Sequence, residues 1–189
     1  MSEQGRYQIR FDWMPAGARA VDATGDVDVF VWVDAVELQT APDAALAPSS
    51  SLPSPADELP LGAAIVRGSI DSAAAVAQWV LMLQQHLARR VMVAIIAAGD
   101  TRPDGSFRVT VEDLLAAGAI VDRLCALGLD ATSPEAAVAE AAYRGLRPAL
   151  AHLVSASVSG DGGGASFPSR VVDDWGPEDV VVLRHHPLA

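Results

Sequence analysis

Apolar residues along this chain fall into short unbroken blocks separated by polar turns. Residues 27–36, VDVFVWVDAV, form a β-branched run whose last polar residue is Asp34, and residues 91–98, VMVAIIAA, stop abruptly at Gly99-Asp100. Runs of this length and composition predict buried strands. Residues 62–67, GAAIVR, predict another strand, residues 7–13, YQIRFDW, a short alternating one rich in aromatics, and residues 180–183, VVVL, a last one. Between them the period changes. Val76, Trp79, Val80, Leu83 and Leu87 fall on one face of a helix over 73–89. Leu114, Leu115, Gly118, Val121 and Leu124 make the inner stripe of a helix over 111–127, with Thr110 as its N-cap. Ser133-Pro134-Glu135 supplies a cap, a proline at the first helical position and an acid in the first turn, which predicts a helix from there to about 154. Strands that alternate with helices predict a three-layer α/β/α fold around a mostly parallel or mixed sheet, in a single domain.

Two stretches interrupt the pattern. Residues 39–60 carry five prolines and a serine cluster, a long loop for a compact domain. Residues 159–169, SGDGGGASFPS, predict a flexible segment. The chain has 189 residues and a net charge of −11, which disfavours nucleic acid and anionic membrane surfaces but leaves room for a small anion held by local arginines. Cys125 is the single cysteine, so no intrachain disulfide forms, and its place in a helical pattern suits a small buried residue. The first residues lack the apolar core of a signal peptide, and no apolar run approaches the roughly 18 residues of a membrane span. The expectation is a soluble, cytoplasmic protein.

In a sheet of this kind ligands bind beyond the carboxyl ends of the strands. The residues to weigh are therefore Asp34, the stretch Gly68 to Ser72, and Gly99-Asp100. An aspartate just past a buried strand is placed to ligate a metal, or to end the strand in a turn. The helix start at Ser72 can cradle a phosphate, with Gly68 and Ser69 admitting the backbone closely, yet Asp71 puts negative charge where the oxyanion would sit. Arg67 and Arg102 can compensate, or stand solvated on the surface. Gly99 can mark a site or simply permit a sharp turn. Glu112 and Asp113 read first as acids complementing a helix dipole and its free N–H groups. His185 and His186 read as tail, and Asp173, Asp174 and Glu178 as a solvated acidic loop.

Five stretches resemble the 2-phosphosulfolactate phosphatase family in its actinobacterial form: YQIRFDWMPAGA, VWVDAV, GSIDSAAAVAQWV, VAIIAAGDTRPDGSFRVTVEDLLAAGAIVDRL and SPEAAVAEAAYRGLRPAL. The resemblance covers most of the chain outside 37–61 and the tail. It implies a three-layer α/β/α fold, Mg2+ dependence and hydrolysis of a small acidic phosphate ester. Carried onto this chain, it makes Asp34 the catalytic residue and, with Glu112, a metal ligand. Gly68, Ser69, Ser72, Gly99, Asp100 and Arg102 become the substrate contacts. The chain also departs from the family pattern. VDAVELQT keeps Asp34 but not the residues that follow it, Ala56-Asp57 stands in place of an Asn-Gly pair, and Asp71-Ser72-Ala73 in place of an Arg/Leu-Asn-Ala run. A segment after the first long strand is missing, and the C-terminal motifs are reduced to a glycine-rich tail and VVDDWG. Two readings follow: a magnesium-dependent phosphatase, or a family member that has lost catalysis and binds a ligand or a protein partner. A homo-oligomer fits either.

Overall fold

The structure is a computed structural model and describes residues 4–35, 55–157 and 170–188. Most of the 39–60 loop and the whole of the 159–169 segment lie outside those residues. Five strands form one mixed sheet: β1 (Ile9–Trp13), β2 (Val29–Val33), β3 (Ala64–Gly68), β4 (Val93–Ala97) and β7 (Val182–Arg184). Their order is β1-β4-β2-β3-β7, parallel except for the antiparallel β3–β7 edge pair. Strands β2 and β4 are buried along their whole length, as their unbroken apolar sequences require. A small hairpin, β5 (Asp100–Thr101) with β6 (Phe107–Arg108), follows β4.

The helices cover the two faces unequally. On one face lie α3 (Ala73–Leu87), α4 (Val111–Ala126), α5 (Pro134–Leu146) and the short α6 (Leu150–Ser155), enclosing the larger core around Val31, Val66, Ile95, Ile120 and Leu124. On the other face α1 (Met14–Val21) encloses a smaller core of Ala18, Val21, Phe30, Trp32, Ile65 and Ile96, which Leu59 joins from just beyond the one-turn α2 (Pro55–Glu58). This is the three-layer α/β/α arrangement. Small residues set the layer spacing: a Cβ on Gly118 of α4 would collide with the Ala139 carbonyl oxygen of α5 and come within 2.8 Å of Tyr143 Cβ. No helix of the described residues is long and apolar enough to cross a membrane.

Four expectations need correcting. The helix expected to run to about 154 breaks at 147–149, where a 3-10 turn carries Pro148, because proline removes a backbone donor and crowds the preceding turn. The last strand begins at Val182 rather than at 180. Thr110 holds the N-cap position of α4 but does not cap it with its side chain: its hydroxyl donates to Asp113 Oδ2 at 2.6 Å, while Ser133 caps α5 by accepting from the Ala136 amide at 3.1 Å. His186 is not loose tail. It is 5 % exposed, its Nδ1 accepts from the Leu188 amide, and its Nε2 stands 3.6 Å from Asp28 Oδ1.

Candidate functional site

The parallel strands β1, β4, β2 and β3 all end on one edge of the sheet, and α4 starts there. Asp113, in the first turn of α4, joins that edge together. Its Oδ1 accepts from the Ala35 amide just beyond β2 at 2.9 Å, and its Oδ2 accepts from the Gly99 amide just beyond β4 at 2.9 Å and from the Thr110 hydroxyl. The carboxyl is 2 % exposed, and that burial pushes its pKa up to about 6 against the pull of its three donors, with the nearby charge of Asp34 adding to the rise. Asp113 thus serves neighbouring strands rather than only its own helix end.

Asp34 is half-buried on the turn that leaves β2. Glu112, one residue before Asp113, is 1 % exposed, and its Oε1 has no hydrogen-bond partner. A buried carboxylate oxygen left unpaired costs about 1–3 kcal/mol or more, so it marks a place where a ligand would be welcome. Magnesium is held through one or two carboxylates, with water and substrate phosphate completing six oxygens. Of the acids in the first turn of α4, Glu112 has an unpartnered oxygen, while both oxygens of Asp113 are engaged. Among the described residues no group of three or more His, Cys, Asp or Glu side chains is placed to hold a metal ion. A protein-only cage does not fit.

The start of α3 is a closed polar knot. Ser69 Oγ donates to Asp71 Oδ1, the Ser72 amide donates to the same oxygen at 2.9 Å, and the Ser69 amide donates to Ser72 Oγ at 3.0 Å. The two serine hydroxyl oxygens lie 2.7 Å apart. The Asp71 carboxylate therefore sits where an oxyanion would accept from the helix start. From the other side, the Val172 amide donates to the Asp71 carbonyl at 3.0 Å and brings the C-terminal segment alongside. Gly68 is explained by packing: a Cβ there would stand 2.6 Å from Val31 Cγ1 and 2.7 Å from Ile120 Cδ1.

Gly99 adopts φ 64°, a conformation that favours glycine, and a side chain there would strike the Phe107 ring. Asp100 and Arg102 belong to the hairpin. Asp100 pairs with Arg108, whose guanidinium holds the Asp100 carboxyl below the usual carboxylate range. Arg102 is exposed and donates to the Phe107 carbonyl. Phe107 packs on Trp13 with ring centroids 5.6 Å apart, and Trp13 on Phe11 at 5.4 Å, so the hairpin leans on the end of β1. Among the acids read as a solvated loop, Asp173 pairs with Arg123 at 2.9 Å. Burial pushes the Cys125 thiol up to about 11, which leaves it protonated and unreactive at neutral pH.

Sequence reasoning singled out Asp34 and Glu112 but underrated Asp113 and missed the aromatic contact of Trp13 with Phe107. Asp113 differs from a capping acid only in its long-range bonds, to residues 78 and 14 positions away, and nothing local announces them. A visible signal for Trp13 was the Met14-Pro15 pair that follows it. Met14 takes φ 60° at the exit of β1, an uncommon conformation for a non-glycine residue that clusters at functional sites. No protein-family model matches the chain, and no curated protein matches it.

Proposed function

We propose that this chain is a 2-phosphosulfolactate phosphatase-like protein in which hydrolysis has been lost and the sheet edge serves ligand or partner binding. The observation that carries this reading is the Asp71 carboxylate on the Ser72 amide and the Ser69 hydroxyl. Phosphoryl transfer depends on donors aimed at the phosphoryl oxygens. At this helix start the Ser72 amide and the Ser69 hydroxyl are already bonded to a negative charge, which a phosphate would have to displace and which repels it. The fragments that resemble the family are the ones that build the α3, α4 and α5 layer, so a kept scaffold and an altered polar edge go together.

A second reading has one observation of its own. The buried, unpaired Glu112 Oε1 in the first turn of α4 suits a cation, and the family resemblance makes Asp34 the second carboxylate. On that reading Asp34 and Glu112 would hold Mg2+, which would supply charge neutralisation to a small acidic phosphate ester. One experiment separates the two. Purified protein is assayed for phosphate release from an aryl phosphate and from a phosphorylated hydroxy acid, with and without Mg2+, and its Tm is measured over the same series. We expect no turnover above the Asp34→Ala variant and no rise in Tm. Magnesium-dependent turnover that Asp34→Ala abolishes would establish the second reading instead.

A further inference from the structure

The edge of the sheet where the parallel strands begin, opposite the one that carries Asp34 and Asp113, has a cavity of its own. β7 runs antiparallel to β3 with Arg184 opposite Ile65, so His185, the next residue, leaves the sheet beside the start of β3. Strands β3 and β4 are parallel, so α3 between them runs the opposite way and its last turns reach the same edge. There Trp79, Met82, Leu83 and His86 of α3, together with His185, line an open cavity of about 290 Å³.

These side chains offer two imidazoles and a thioether, and no carboxylate. Met82 and His86 are four residues apart on α3, which puts them on one stripe of the helix with Cβ atoms about 5–6 Å apart. Metal-binding helices use this same spacing to bring two side chains to one ion. His185 joins them from a separate segment of the chain. Met82 is 54 % exposed and both histidines are exposed, so an ion reaches them from solvent. Neither imidazole makes a hydrogen bond or ion pair among the described residues, which leaves ring nitrogens for ligation. The neighbouring His186 is committed instead, to the Leu188 amide and to Asp28. Hard ions such as Mg2+ take oxygen ligands and do not suit this set. A thioether beside imidazoles selects the soft Cu(I), and the Trp79 ring adds an aromatic face for a cation. We infer that Met82, His86 and His185 bind Cu(I) through one sulfur and two nitrogens. The site shares no residue with Asp34, Glu112 or the knot at Ser69 to Ser72, so it stands or falls apart from the loss of hydrolysis.

The test titrates Cu(I), in anaerobic buffer containing ascorbate, into the full chain labelled with 13C at the methionine methyl groups. Competition with a chromophoric Cu(I) chelator reads the affinity. The Met82 methyl is assigned by Met82→Leu, a change of similar volume at an exposed position. The expected result is one Cu(I) per chain, with the Met82 methyl resonance shifting in proportion to the bound metal. Met82→Leu, His86→Ala and His185→Ala each weaken binding by about tenfold or more, since loss of even an outer partner of a metal ligand costs that much. His152→Ala, which removes an imidazole on α6, and Cys125→Ser, which removes the single thiol, leave it unchanged. A Met82 methyl that Cu(I) does not move overturns the inference. So does an affinity equal to the wild type's in Met82→Leu or in both histidine variants, or binding that Cys125→Ser abolishes.

Discussion

Asp113 is the residue on which the edge of the sheet turns. One carboxylate takes donors from the ends of β2 and β4 and from Thr110, which explains why an acid is buried in the first turn of α4. Its raised pKa makes a signed prediction. The folded state holds the proton more tightly than the unfolded chain, whose aspartate titrates near 3.8, so this contribution is full below that pH and is lost as pH rises through about 6. The loss is about 3 kcal/mol at most. Urea unfolding of the wild type and of Asp113→Asn across pH 4 to 7 will show that the substitution removes this downward slope. Parallel curves for the two proteins would mean that Asp113 is ionised throughout. In the sequence Asp113 was legible only as an acid near a helix start. Its bonds to distant amides are set by the register of β2 and β4, which no local pattern encodes.

Among the elements, the contact of α4 with α5 depends on Gly118, where the Ala139 backbone of α5 comes closest. Gly118→Ala forces the helices apart and will destabilise the fold by about 3 kcal/mol, overpacking at backbone that cannot swing aside. That corresponds to a Tm lower by about 10 °C for a chain of this size. A thermal melt reads it, and an unchanged Tm would show that α5 can shift freely. At the opposite layer, β1 is tied to the turn before β2 by Arg10. Its fully buried guanidinium donates twice to Asp26 at 2.8 Å and also to the carbonyls of Gly5, Tyr7 and Val21. Arg10→Met leaves those acceptors unsatisfied and will cost about 3–5 kcal/mol in urea unfolding. A loss below about 1 kcal/mol would show them reached by water. The buried strands and α3, α4 and α5 were legible in the sequence, since unbroken apolar runs and 3.6-residue stripes are strong signals. The α1 helix was not, because MPAGARAV opens on proline and carries a glycine. The two-residue strands of the hairpin are too short to leave a period. The break at Pro148 was written in the sequence, but the apolar residues on either side of it masked the stop.

For the molecule as a whole, the fold class was readable and the state of the site was not. Alternation of strands and helices leads to a three-layer sheet protein. Whether a phosphate can bind at the strand ends depends on where a few carboxylates point. Asp71 was flagged by its charge alone, and its geometry makes the objection stronger, because its carboxylate takes the Ser72 amide that an oxyanion would need. Glu112 and Trp32, a buried acceptor and a buried donor without partners, lie at the two unequal halves of the same structure, and neither was visible as such in the sequence.

The most direct test of the account is the Ser72 backbone amide, followed by NMR as inorganic phosphate is added to the wild type and to Asp71→Gly. If Asp71 fills the anion position, the wild-type amide will not move, and removing the carboxylate will open the helix start to a saturable shift. A wild-type Ser72 amide that responds saturably to phosphate would contradict it.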